Sequence, residues 1–127
     1  MENHDSALDR LTSRIIESII RVHQNLGPGF IESVYQAALL VEFHKSDIPV
    51  EREKEIEIFY EGVLVGRHRL DLVVAGAVIL ELKTVEELSR AHYAQIRSYL
   101  KATGLLTGLL VNFSKEKADF RRIQSKV

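Results

Sequence analysis

The 127-residue chain contains no cysteine, which removes disulfides, thiolate metal sites and cysteine nucleophiles from its repertoire. A reducing compartment is the natural setting. No stretch approaches the roughly 18 apolar residues that a membrane span needs. The N-terminal MENHDSALDR is polar and acid-leaning, not a basic segment followed by an apolar one. The expected location is cytoplasmic, with no membrane partner. An excess of one charge sign is also missing: 17 basic against 18 acidic residues leave a formal net charge of -1. The field of the whole chain therefore does not draw in a polyanion, and any nucleic-acid contact must come from a local basic patch. Repeats and low-complexity segments are absent too. With 46% hydrophobic and 28% charged residues, the composition suits one globular domain over residues 1–127, with apolar surface for a single core.

Changes of hydrophobic period organise the chain. Leu8, Leu11, Ile15, Ile19, Val22 and Leu26 recur at three- and four-residue steps and predict a helix with one apolar stripe, Asp5 or Ser6 serving as N-cap. Gly27-Pro28-Gly29 stops it. A second helix is expected over Phe30 to Lys45, ended by Ile48-Pro49. The period then becomes two. Glu55–Tyr60, Val63–Val74 and Val78–Thr84 read as strands of an antiparallel meander, with Glu61-Gly62 as the first turn. Helical spacing returns over Val85–Ala102 and closes at Gly104; Leu106–Phe113 reads as a buried strand and Ala118–Ile123 as an edge strand. The order implies a mixed α/β sheet with helices packed on it.

The segment RLDLVVAGAVILELKT embeds Asp71, Glu81 and Lys83 in strand-forming residues. A three-residue turn, Ala75-Gly76-Ala77, sets Val74 opposite Val78 and Asp71 opposite Glu81, collecting the charges on one side. Leu70, Leu72, Val74, Val78, Leu80 and Leu82 are then expected on the other side as a continuous apolar surface. A two-residue turn would bury the Asp71 carboxylate in that surface, at a cost of several kcal/mol. Two carboxylates so close repel unless a cation lies between them. Oxygen-only ligands suit magnesium or manganese, and Lys83 could hold a water or stabilise charge on a phosphate under attack. The same D-x9-E-x-K pattern also suits a solvated polar face.

Further residues add to the pattern. Glu32 and Tyr35 stand three apart, on one face of the second helix, directly after Gly-Pro-Gly. Leu88, His92, Gln95 and Tyr99 share a narrow sector of the later helix beside the core positions Ile96 and Leu100. Gln95 and Tyr99 could instead bond a neighbouring loop, with His92 an ordinary surface histidine. His23, near a helix C-terminus, reads as structural. Arg90, Arg97 and Lys101 form a basic stripe that could track a phosphate backbone or be a solvated face.

These residues carry a resemblance. GFIESVY, Gly29 to Tyr35, matches the G-x-x-E-x-x-Y signature of the GxxExxY protein family, within VHQNLGPGFIESVYQAAL, which resembles that family's N-terminal block. RLDLVV, VILELKTV, HYAQIRSYLKATG and GLLVNF resemble its remaining blocks in the same order, so the likeness covers roughly residues 11 to 124. That family is similar to the PD-(D/E)XK nuclease superfamily. The resemblance implies a restriction-endonuclease-like α-β-β-β-α-β core, here with an extra N-terminal helix. It implies Asp71 and Glu81 as metal ligands, the backbone carbonyl of Leu82 as a further ligand, and Lys83 as the catalytic lysine. In the RecB-like branch an acidic residue from an early helix and a Q-x-x-x-Y pair join the site; Glu32, Gln95 and Tyr99 correspond to these. Leu70 stands where the superfamily name has proline. The implied function is Mg2+- or Mn2+-dependent hydrolysis of phosphodiester bonds in nucleic acid, with DNA the expected substrate. His92, Tyr35, Arg97 and Tyr99 are expected to contact it, and a homo-oligomer could extend the grip of so short a chain. The alternative is a catalytically silent nucleic-acid- or protein-binding module on the same fold.

Overall fold

The computed structural model describes residues 6–125; the candidate N-cap Asp5 lies outside them. Eight elements follow in order: α1 (Ser6–Leu26), α2 (Glu32–Lys45), β1 (Val50–Tyr60), β2 (Val63–Val74), β3 (Val78–Lys83), α3 (Arg90–Thr103), β4 (Thr107–Asn112) and β5 (Asp119–Gln124). The strands form one sheet in the order β1-β2-β3-β4-β5. Its β1–β2, β2–β3 and β4–β5 pairs are antiparallel, and β3 runs parallel to β4. The parallel pair follows from connectivity, because α3 lies between the two strands and returns the chain to the same end of the sheet. No helix among the described residues is long and apolar enough to cross a membrane.

Each face of the sheet carries its own core. Ile15, Ile19 and Val22 of α1, and Tyr35, Leu39 and Phe43 of α2, pack on Leu72, Val74, Val78, Leu80, Leu82, Leu109 and Val111. On the opposite face Ile96, Tyr99 and Leu100 of α3 pack on Leu70, Val73, Ile79 and Leu110. Gly108 lets α3 approach closely, since a β-carbon there would lie 2.8 Å from Ile96 Cδ1. Full burial of each aliphatic side chain contributes about 1.5–3 kcal/mol, so both faces are committed to helices. The Ala75-Gly76-Ala77 turn has the expected register: Val74 faces Val78, Val73 faces Ile79 and Leu72 faces Leu80.

Five expectations are corrected. Leu70 does not join Leu72 on the α1/α2 face but packs under α3. The β1–β2 ladder passes from Arg52–Leu72 to Lys54–Leu70 without a Glu53–Asp71 pair, and Glu53 has φ +51°, so the alternation is broken at Asp71. α2 begins at Glu32, leaving Phe30 and Ile31 in the preceding loop. β1 begins at Val50 because its first residues pair with β2 along the sheet edge despite lacking a two-residue apolar pattern. α3 begins at Arg90, after a segment whose Val85 N–H and carbonyl both bond the side chain of buried Asn112. Ser89 then caps α3, and Gly104 ends it in the left-handed conformation at φ +77°. Leu26, expected on the apolar stripe of α1, is 36% exposed.

Candidate active site

The β2–β3 ladder opens immediately beyond Leu72–Leu80, and the acidic side chains complete it. The Asp71 carboxylate accepts the Leu82 N–H at 2.8 Å, and the Glu81 carboxylate accepts the Asp71 N–H at 3.0 Å. Side chains thus satisfy backbone donors that the separated strands leave without ladder partners. Each carboxylate is fixed through one oxygen and keeps the other for a ligand. An extended residue projects its N–H and carbonyl from the same strand edge, so the Leu82 carbonyl also turns toward β2 and Asp71. The Leu82 side chain packs into the α1/α2 core.

Burial sets the electrostatics. Glu81 is only 5% exposed; desolvation, with the Asp71 charge second, pushes its pKa up to about 7. Asp71 is also raised, chiefly by burial and further by the Glu32 charge, while the Leu82 N–H and the Lys83 charge act in the opposite direction. Lys83, half-buried at the end of β3, is the cation that both carboxylates feel. Two neighbouring carboxylates held above their ordinary range are a site that lacks positive charge.

Glu32 lies exposed in the first turn of α2, where its charge reaches Asp71. Among the described residues, no group of three acidic or histidine side chains is placed to hold one ion together. The expected three-carboxylate set is therefore a close pair with Glu32 at longer range. The donors still fit a hard divalent cation: all are oxygens, two are carboxylates short of positive charge, and magnesium keeps several waters of its own.

On the α3 side, Tyr99 lies flat on His68, with ring centroids 4.2 Å apart and planes 22° apart. The Tyr99 hydroxyl is 3.3 Å from His68 Nδ1, and Gln95 also hydrogen-bonds it. Burial, followed by the charges of Glu81 and Asp71, pushes Tyr99 up to about 12, so the phenol stays protonated and can donate. Burial lowers the pKa of His68, which also feels Asp71 and Lys83. Gln36 Nε2 approaches the Asp71 carbonyl at 3.4 Å.

The site therefore brings together Asp71, Glu81, Lys83, Gln95 and Tyr99, with Glu32 at its margin. Tyr35 requires a correction, because it is fully buried and cannot meet a substrate. Its hydroxyl donates to the Gly27 carbonyl at 2.6 Å and accepts the Phe30 N–H at 3.2 Å, and its ring stacks on Phe113 at 4.2 Å. It pins the Gly-Pro-Gly loop from which Glu32 starts α2. His92 completes the capping box of α3: its Nδ1 accepts the Ser89 N–H at 3.0 Å. Arg97 is exposed on α3. Sequence reasoning missed His68, Gln36 and Asn112. His68 had a usable signal, standing two residues before Leu70 and so sharing its face, but Leu70 itself was expected on the wrong face.

Comparisons with known proteins bear on the family and the fold. A profile of the PD-(D/E)XK nuclease superfamily matches residues 9–123. No curated protein sequence matches the chain. The crystal structure of SSO0001 superposes with a TM-score of 0.58 at 19% identity, covering 75% of this chain and 50% of that one. This chain thus spans about half the length of SSO0001. An alkaline exonuclease from Laribacter hongkongensis aligns with a TM-score of 0.42 at 12% identity, over 91% of this chain and 82% of that one. With the superfamily profile spanning nearly all of the sequence, and the restriction-endonuclease-like mixed sheet carrying Asp71, Glu81 and Lys83 on β2 and β3, the chain belongs to the PD-(D/E)XK nuclease superfamily.

Proposed function

We propose that this chain is a metal-dependent nuclease that hydrolyses phosphodiester bonds, with DNA as its substrate. The observation that carries the reading is the reciprocal hold of Asp71 and Glu81 beside Lys83. Asp71 and Glu81, with the Leu82 carbonyl, would hold magnesium or manganese, which when bound supplies Lewis-acid polarisation of the scissile phosphate. The Lys83 ammonium provides hydrogen-bond donors for the charge that grows on the phosphate oxygens during attack by water. Gln95 holds the Tyr99 hydroxyl, and Tyr99 with His68 forms a polar-edged aromatic wall that orients the strand. The Gly29–Tyr35 signature and the Gln95–Tyr99 pair support a finer placement, in the GxxExxY group and the RecB-like branch.

The test is an assay of purified protein on single- and double-stranded DNA and RNA with magnesium, manganese or chelator, alongside Asp71→Asn. Metal-dependent cleavage of DNA, lost in the variant, is the expected result. Binding without cleavage across the whole panel would replace this reading with a silent nucleic-acid-binding module.

A further inference from the structure

The β1–β2 hairpin runs past the rest of the sheet, because β3 pairs only with residues 72–74 of β2. Along this arm the ladder passes from Ile58–Gly66 to Phe59–Leu64, leaving Val65 as an extra residue. Such a bulge bends its strand and increases the local twist, and bulges recur beside functional sites. At this level the arm and α3 enclose a groove of about 460 Å3, lined by Glu57, Ile58 and Phe59 on one side and by Tyr99, Lys101 and Ala102 on the other. Tyr99 lines this groove and also feels the charges of Glu81 and Asp71, so the groove borders the acidic cluster at that residue.

The lining has the chemistry of a nucleotide. Phe59 is 58% exposed and belongs to an uncovered apolar face of the arm with Tyr60, Val63 and Val65. Lys101 is exposed and makes no ion pair among the described residues, whereas the Glu57 carboxylate is engaged by Arg67 at 3.5 Å. The unbalanced charge is therefore positive. An aromatic face beside a cation is how proteins hold an unstacked base and its phosphate, and a base inside a duplex has no free face to offer.

We propose that the groove between β1 and α3 is a nucleobase subsite for single-stranded nucleic acid, in which Phe59 stacks on a base flanking the scissile phosphate and Lys101 neutralises the adjoining phosphate. This rests on the nuclease reading for the position of the scissile bond and deepens it, since the enzyme would then act on single strands or frayed ends.

The test measures binding of fluorescent single-stranded oligodeoxythymidylate, oligouridylate and a DNA duplex to wild type, Phe59→Ala, Phe59→Trp and Lys101→Ala, with calcium as the metal to suppress turnover. Phe59→Ala is expected to weaken single-strand binding by about five- to a hundred-fold, the range for one lost base–aromatic stack. Duplex binding should change less than about two-fold, and Phe59→Trp should restore affinity. Lys101→Ala should make the logarithmic salt dependence shallower by about 0.7, the value for one single-strand phosphate contact. Unchanged melting temperatures establish that all three exposed-site variants fold. Unaltered single-strand affinity in Phe59→Ala, an equal loss on duplex, or no single-strand binding by wild type overturns the subsite. If wild type binds single strands through Phe59 yet cleaves nothing with magnesium or manganese, the nuclease reading fails and the subsite stands.

Discussion

The Glu81 carboxylate accepts the backbone N–H of Asp71 at 3.0 Å, so one member of the acidic pair is held by the main chain of the other. Removing either side chain would leave a backbone donor of the opened ladder without its partner. The pair thus closes the sheet locally while storing charge repulsion.

That repulsion makes stability depend on pH. Glu81 has an ordinary value of 4.5, which the fold raises to about 7. Between these values the folded state holds more protons than the unfolded state, so stability is greatest below the lower value and is lost as pH rises through the higher one. A shift of that size corresponds to a loss on the order of 3 kcal/mol, and the raised Asp71 adds in the same direction. In chelator, the melting temperature is expected to be higher near pH 5 than near pH 8. Glu81→Gln should flatten most of that slope. A melting temperature that stays level or rises over this range contradicts the account.

A divalent cation should offset part of the loss. At pH 8, manganese at about ten times its dissociation constant should add roughly 1.4 kcal/mol to wild-type stability by linkage. The gain should shrink near pH 5, where protons compete for Glu81, and largely disappear in Asp71→Asn. Thermal denaturation with and without manganese measures all three, and indifference of wild type at pH 8 would count against a metal held by this pair.

Lys83 is half-buried and lies at the end of β3, outside both apolar cores. Lys83→Ala removes the cation that both carboxylates feel, so the fold is expected to persist with a destabilisation that is larger near pH 8 than near pH 5. Cleavage should fall by about two to three orders of magnitude, as for loss of a donor aimed at transition-state charge. Oligonucleotide binding in calcium should persist, since such a donor acts mainly in the transition state. Retained cleavage would remove Lys83 from the chemistry.

Tyr35→Phe isolates the loop anchor. It keeps the Phe113 stack and deletes only the hydroxyl that ties Gly27 to Phe30. The expected destabilisation is about 1–3 kcal/mol, because a buried bonding partner is removed. Turnover should fall in part through Glu32, which the loop positions. Denaturant titration reads the first effect and single-turnover cleavage the second; wild-type stability would show that the hydroxyl bonds contribute nothing net.

Much of this fold was legible because local patterns and tertiary burial agree. The turn at Ala75-Gly76-Ala77 could be chosen over a shorter one because only that register spares the Asp71 carboxylate from an apolar surface. The ends of α1, α2 and α3 were written in Gly27-Pro28-Gly29, Ile48-Pro49 and Gly104. β1 was read five residues too short, since Val50–Lys54 is an edge segment with no apolar alternation and is held by pairing to β2. Val85–Ser89 has helical spacing, but the side chain of Asn112, distant in sequence, takes the N–H and carbonyl of Val85 instead.

The site divides in the same way. Asp71, Glu81 and Lys83 were legible in the sequence as neighbours because the register of the hairpin at Ala75-Gly76-Ala77 is a local property, whereas the break in alternation at Asp71 and the bonds by which Asp71 and Glu81 hold the opened ladder were decided by the tertiary structure. Spacing alone could not separate Glu32 from Tyr35, which are neighbours on a helix surface; only packing against Phe113 decided that one turns inward as an anchor and the other stays in solvent. Nor could it place His68 on Tyr99. That contact joins two elements 31 positions apart, across a strand whose alternation breaks at Asp71, and such a meeting exists only once α3 has packed on the sheet.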